Sequence, residues 1–164
     1  MCPGPATQTI EKMNSLGLRF NSVVTATTRR CLETASIVAH GVPCQSKPMV
    51  TDLLLPQGPG RVREPCSVLA PEFPSIDFSD YFEDPLWLEC EESDTQLRER
   101  VDTLMRIVNK MEGTVLVVAP ESLLRTYSGV TLSPAGFFKQ FENEDLGNWR
   151  SFMSESTTFH TSFE

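Results

Sequence analysis

The run from Val115 to Arg125 constrains this chain more than any other stretch. Val115-Leu116-Val117-Val118-Ala119 is purely apolar, and Pro120-Glu121-Ser122-Leu123-Leu124-Arg125 follows without a spacer. A strand with no polar alternation is one covered on both faces, which points to a parallel sheet with helices above and below it. In such sheets the carboxyl end of a strand and the amino end of the next helix form a ready anion site. The first helical N–H groups there are unpaired, and the helix dipole favours negative charge. Pro120 stands at that turn, where a catalytic side chain is expected.

The flanking segments repeat the pattern. Thr7 to Leu16 is predicted as an amphipathic helix with Ile10, Met13 and Leu16 on one face and Gly17 as its left-handed stop. Phe20 to Ala26 is rich in β-branched residues and reads as a strand. Arg29 to Ala39 then reads as a helix ended by His40-Gly41. Asp94 to Glu112 is predicted as a helix with the stripe Leu97, Val101, Leu104, Val108 and Met111, an N-cap at Ser93 or Asp94, and a stop at Gly113. Thr114 to Ala119 is the apolar strand, and Glu121 to Ser128 the helix closed by Gly129.

Between these lies a proline-rich insertion, residues 43–92, read as irregular and as shaping a surface rather than a core. Within it Met49 to Leu55 is at most a short strand, because Pro48 and Pro56 bound it. Beyond Ser133, the aromatics Phe137, Phe138, Phe141, Trp149 and Phe152 are expected to pack onto the sheet, with residues 154–164 frayed. The order helix, strand, helix, insertion, helix, strand, helix predicts one α/β domain over residues 1–164, three-layer α/β/α with a mainly parallel sheet.

Charge and composition exclude several function classes. A net charge of −8 argues against nucleic acid as a partner, since phosphate-backbone binders need clustered Lys and Arg. No apolar run approaches the roughly 18 residues of a membrane span. Met1 to Pro5 lacks the basic and then apolar pattern of a signal segment, so a soluble, cytoplasmic protein is expected. Cys2, Cys31, Cys44, Cys66 and Cys90 are widely spaced with no C-x-x-C pair, which suggests reduced thiols rather than disulfides or zinc. Asp77, Asp80, Glu83 and Asp84 read as a solvated acidic loop before a cation site. Gly58-Pro59-Gly60 reads as a turn, and neither a nucleotide loop nor a cysteine-phosphatase loop is present. No metal or cofactor is expected.

The stretch Thr25-Ala26-Thr27-Thr28-Arg29-Arg30-Cys31-Leu32-Glu33-Thr34-Ala35 carries the most specific chemistry. Hydroxyls and paired arginines at a strand-to-helix junction suit a phosphate, through a guanidinium fork and free backbone N–H groups. From chemistry alone, a solvated Arg pair with capping threonines is the better reading.

This stretch resembles the histidine phosphatase superfamily, also called phosphoglycerate mutase-like. The lead-in Gly17 to Ala26, the helix start Arg30-x-x-Glu33-Thr34-Ala35, Phe73 to Asp77, the helix from Glu91 to Met111 and the Val115 to Arg125 unit occur in the family's order, over residues 6 to 132. Phe73 to Asp77 and the long insertion are most similar to the eukaryotic branch that contains the ubiquitin-associated and SH3-domain phosphatase relatives.

The resemblance implies a phosphohistidine mechanism with four parts: a nucleophilic His at the end of an N-terminal strand, an Arg that grips the phosphate, an acid for the leaving group, and a second His in a turn. Of these, the Arg falls on Arg30. The second His falls on Pro120, with Ser122 retained in the same turn. The acid falls on Leu55, with Asp52 and Glu64 nearby. Met1 to Pro5 leaves no room for the nucleophile strand, so the sheet is expected to lack its first, central strand unless another segment or a partner chain fills the slot, or the chain is N-terminally incomplete. His40 precedes Gly41 but follows a helix, and reads better as a C-terminal cap; His160 lies in the tail. Covalent phosphoryl transfer needs a nucleophile and several donors at once, and losing one costs orders of magnitude in rate. Glu121 adds a carboxylate that would repel a phosphate from the same turn. The resemblance therefore implies a catalytically inactive pseudophosphatase that takes a protein partner or weakly binds a phosphorylated ligand. The alternative is an active phosphomonoesterase or mutase seen as a truncated or divergent chain.

Overall fold

The computed structural model describes residues 4–59, 62–79, 86–87, 90–133, 135–143 and 148–155. In chain order the elements are α1 (Pro5–Ser15), β1 (Ser22–Ala26), α2 (Arg29–Gly41), β2 (Met49–Thr51), a 3-10 turn (Asp52–Leu54), β3 (Val62–Arg63), α3 (Cys66–Glu72), β4 (Leu86–Trp87), α4 (Asp94–Val108), β5 (Val115–Ala119), α5 (Glu121–Ser128), β6 (Phe137–Asn143) and β7 (Asn148–Ser154). The main sheet has the order β2-β1-β5-β7-β6. Its first four strands are parallel, and β6 closes one edge antiparallel to β7. β3 and β4 form a separate antiparallel pair.

This order sets the layers. From β1 the chain steps outward through α2 to β2, then returns past β1 through α4 to β5. Right-handed crossovers in opposite directions put α2 on one face and α4 with α5 on the other. α1 lies against α2, and α4 against α5, which makes the three-layer α/β/α arrangement. Covered on both sides, every residue of β5 is buried, as its unbroken apolar run requires.

The sheet centre differs from expectation in one respect. The edge of β5 away from β1 is paired by β7, in register from Val115↔Arg150 to Ala119↔Ser154. β5 is therefore paired on both edges, by β1 and by β7, with no gap in the sheet between them. The aromatic-rich stretch after Ser133 does not pack onto the sheet as a cover; it forms two of its strands. Nor does fraying begin at Ser154, which is buried and donates through Oγ to Ser133 O at 2.8 Å. Residues 156–164, including His160, lie outside the described residues.

α4 runs Asp94–Val108 and starts with a reciprocal capping box. Gln96 N donates to Ser93 Oγ, and Ser93 N to Gln96 Oε1, satisfying two donors the helix leaves open. Leu97, Val101, Leu104 and Val108 are buried, each such side chain contributing roughly 1.5–3 kcal/mol on removal from water. α5 has the predicted bounds and ends at Gly129, whose φ of 78° is the left-handed conformation that stops the helix. His40 closes α2, with its Nδ1 2.7 Å from Ser36 O, the geometry of a C-terminal cap.

The insertion is more ordered and more buried than its prolines suggest. Met49 to Leu55 divides into β2 and the 3-10 turn, and α3 was not foreseen. Leu54, Leu69, Phe73 and Ile76 join the core, so the segment builds core as well as surface. Arg100 on α4 fastens it. Its Nη1 donates to Leu53 O and its Nη2 to Leu55 O, both at 2.6 Å, while Glu92 accepts from its Nε at 2.7 Å. At the amino end of the parallel strands, Arg150 is fully buried and donates to Met111 O at 2.8 Å and Gly113 O at 2.9 Å.

Candidate functional site

Two strand-to-helix turns meet at the carboxyl end of the sheet. β1 passes through Thr27 and Thr28 into α2, and β5 passes through Pro120 into α5. Because β1 and β5 are adjacent and parallel, both helix amino ends come to the same rim. A cleft of about 390 Å³ lies there, lined by Thr28, Arg29, Arg30, Pro56, Pro120, Ser122 and Glu155. Arg30, Pro120 and Ser122, singled out from different parts of the sequence, are thereby brought together.

The paired arginines are not equivalent. Arg29 donates to both Glu72 and Glu64, whose carboxylates hold its guanidinium protonated far above the physiological range. Its charge is already matched. Arg30 is exposed and makes no ion pair among the described residues, so its guanidinium is available to an incoming anion. Thr28 is the N-cap of α2 but makes no capping bond, and its hydroxyl is shielded from water.

On the other wall, Pro120 is buried at the N-cap of α5, with φ −58° and ψ 140°. A proline there lacks only an N–H that the helix would not use, so it costs the fold nothing. It also removes any side-chain donor from the turn. Glu121 accepts from Arg125 Nη1 at 2.8 Å, one turn along the helix, and Ser122 is exposed at the cleft.

Glu155 had no signal in the sequence, since it sits in the stretch expected to fray. Its Oε1 accepts from the Glu121 backbone N–H at 3.1 Å, and its Oε2 accepts from the Cys31 thiol at 3.6 Å. Burial raises its pKa, and the neighbouring Glu121 carboxylate adds to this. The Glu121 N–H, the Cys31 thiol and the charge of Arg30 pull the other way. Burial also pushes the Cys31 thiol well up, with Glu155 adding to it, which leaves an unreactive thiol.

The segment expected to supply an acid does not do so. Leu55 is fully buried, and its neighbour Pro56 forms the wall. Asp52 accepts from Arg63 Nε at 2.9 Å and from Thr27 Oγ1 at 2.7 Å, while Glu64 pairs with Arg29. Neither carboxylate lines the Arg30 cleft. His40 lies at the far end of α2. Asp77 is exposed and accepts from Ser79 N, while Asp80, Glu83 and Asp84 lie outside the described residues. Among the described residues no group of His, Cys, Asp and Glu is arranged to hold a metal, Cys31, Cys44 and Cys90 are free thiols, and no helix is long and apolar enough to cross a membrane.

The cleft thus offers one guanidinium without an ion pair among the described residues, the Ser122 hydroxyl and a helix amino end, with a carboxylate already on the helix. None of the lining residues is a histidine. In comparisons with known proteins, no family model matches the chain and no curated protein matches it.

Proposed function

We propose that the chain is a histidine-phosphatase-fold protein without phosphatase catalysis, serving as an interaction or weak phospho-ligand-binding module. The observation that carries this reading is the meeting of Arg30, Pro120 and Ser122 in one cleft at the carboxyl rim of the sheet. An exposed, unpaired Arg beside a helix amino end is equipped to hold a phosphate by charge-assisted hydrogen bonds. Turnover needs more: a nucleophile, and donors aimed at the transferred phosphoryl group. The turn that would carry the second imidazole carries Pro120, and the strand beside β5 delivers the carboxylate of Glu155 to the cleft.

Titration of the full chain with vanadate, in parallel with Arg30→Ala, tests the binding half. Weak binding that disappears in the variant supports the phospho-ligand module. Absence of binding at millimolar concentration leaves the protein-interaction role alone.

A further inference from the structure

Glu155 is held in place by its backbone before its side chain does anything. Ser154 pairs with Ala119 at the end of β7, and Ala135 N donates to Glu155 O at 3.1 Å. The main chain is therefore fixed at the rim, and the side chain reaches from it to the first turn of α5. Its carboxylate accepts the Glu121 N–H, one of the donors the helix leaves unpaired, at the end where the dipole favours negative charge. Cys31 holds the second oxygen from α2, and Arg30 attracts the same charge from beside it.

We infer that Glu155 is a built-in occupant of the cleft: its carboxylate takes the place of a phosphate oxygen at the amino end of α5, and a phospho-ligand binds fully only by displacing it. The inference rests on the phospho-ligand reading above. A phosphate seated between Arg30 and α5 would meet two carboxylates, Glu155 and Glu121. Glu121 is paired through one oxygen with Arg125 on its own helix, whereas Glu155 occupies the donor the ligand needs. Vacating the site requires a rotamer change of one side chain, with β7 left in the sheet. Glu155 therefore sets how weak the binding is.

The experiment is calorimetric titration of inorganic phosphate into the full chain, into Glu155→Ala, and into Glu155→Ala combined with Arg30→Ala. Glu155→Ala is expected to bind about tenfold tighter than the unaltered chain, the order set by removing one like charge at contact distance. Adding Arg30→Ala abolishes the gain. In amide exchange, the Glu121 N–H exchanges faster in Glu155→Ala and is slowed again by phosphate. Should Glu155→Ala fail to fold, Glu155→Gln keeps the shape and the acceptor while removing the charge, and is expected to give a smaller gain of the same sign. Arg30-dependent binding that is no tighter in either Glu155 variant overturns the inference and leaves the proposed function standing. Absence of phosphate binding in every variant at millimolar concentration overturns both the inference and the phospho-ligand reading, leaving the protein-interaction role alone.

Discussion

At the amino end of the parallel strands Arg150 is fully buried and donates to the carbonyls of Met111 and Gly113, which lie in the connection from α4 to β5. At the carboxyl end Arg30 stands exposed on the first turn of α2, with no ion pair among the described residues. The same side chain thus serves opposite ends of one sheet in opposite ways. Buried, the guanidinium must have its donors used, and it ties the loop through the carbonyls of Met111 and Gly113. Exposed beside a helix amino end, it keeps its donors for something that arrives. The base of the sheet is built for stability, and at the rim the Arg30 guanidinium stays open to an incoming group.

Arg150→Ala attacks the base and is expected to have the largest effect on stability. It removes the donor to Met111 O and Gly113 O and opens a void, a loss of about 3 kcal/mol or more, read from the midpoint of urea unfolding. A loss below about 1 kcal/mol would show that the clamp matters little. Arg100→Ala comes next, because it removes the ties to Leu53 O and Leu55 O together with the ion pair to Glu92. About 2–3 kcal/mol is expected, together with weaker vanadate binding, since Pro56 beside that tie walls the cleft.

Glu155→Gln moves the comparison to the rim. The folded-state pKa of Glu155 lies above its ordinary value of 4.5, chiefly through burial. Its proton is therefore held more tightly in the folded chain than in the unfolded one. The stabilisation this gives is fully present below pH 4.5 and is lost as pH rises through the folded value. Relative to the unaltered chain, the Gln variant should gain stability over that rise and then level off. A difference that is flat, or of opposite slope, would show that the carboxylate is not buried at α5. Arg30→Ala is expected to leave stability within about 0.5 kcal/mol of the unaltered chain, while removing anion binding.

The legible parts of the fold were those written in local sequence. The stripe from Leu97 to Val108, the Ser93 cap and the Gly129 stop each declare a helix within a few residues, and the apolar run of β5 declares its own burial. α3 is short, preceded by Pro65 and interrupted by Pro71, so its local signals read as a loop. β6 and β7 are strands because of what they pair with; β7 lies on β5, more than thirty residues away in the chain, and no local pattern encodes such a partner. The site divides the same way. Arg30 and the Pro120 turn stand in recognisable strand-to-helix junctions. Glu155 reaches the cleft only because β7 enters the sheet, so its role could not be read before that pairing was known.

The central claim is that the rim binds without turning over. Its most direct test is release of inorganic phosphate from a phosphomonoester by the purified chain, measured beside Arg30→Ala. The account predicts no release above the uncatalysed rate from either protein. Turnover by the unaltered chain that disappears in Arg30→Ala would contradict it.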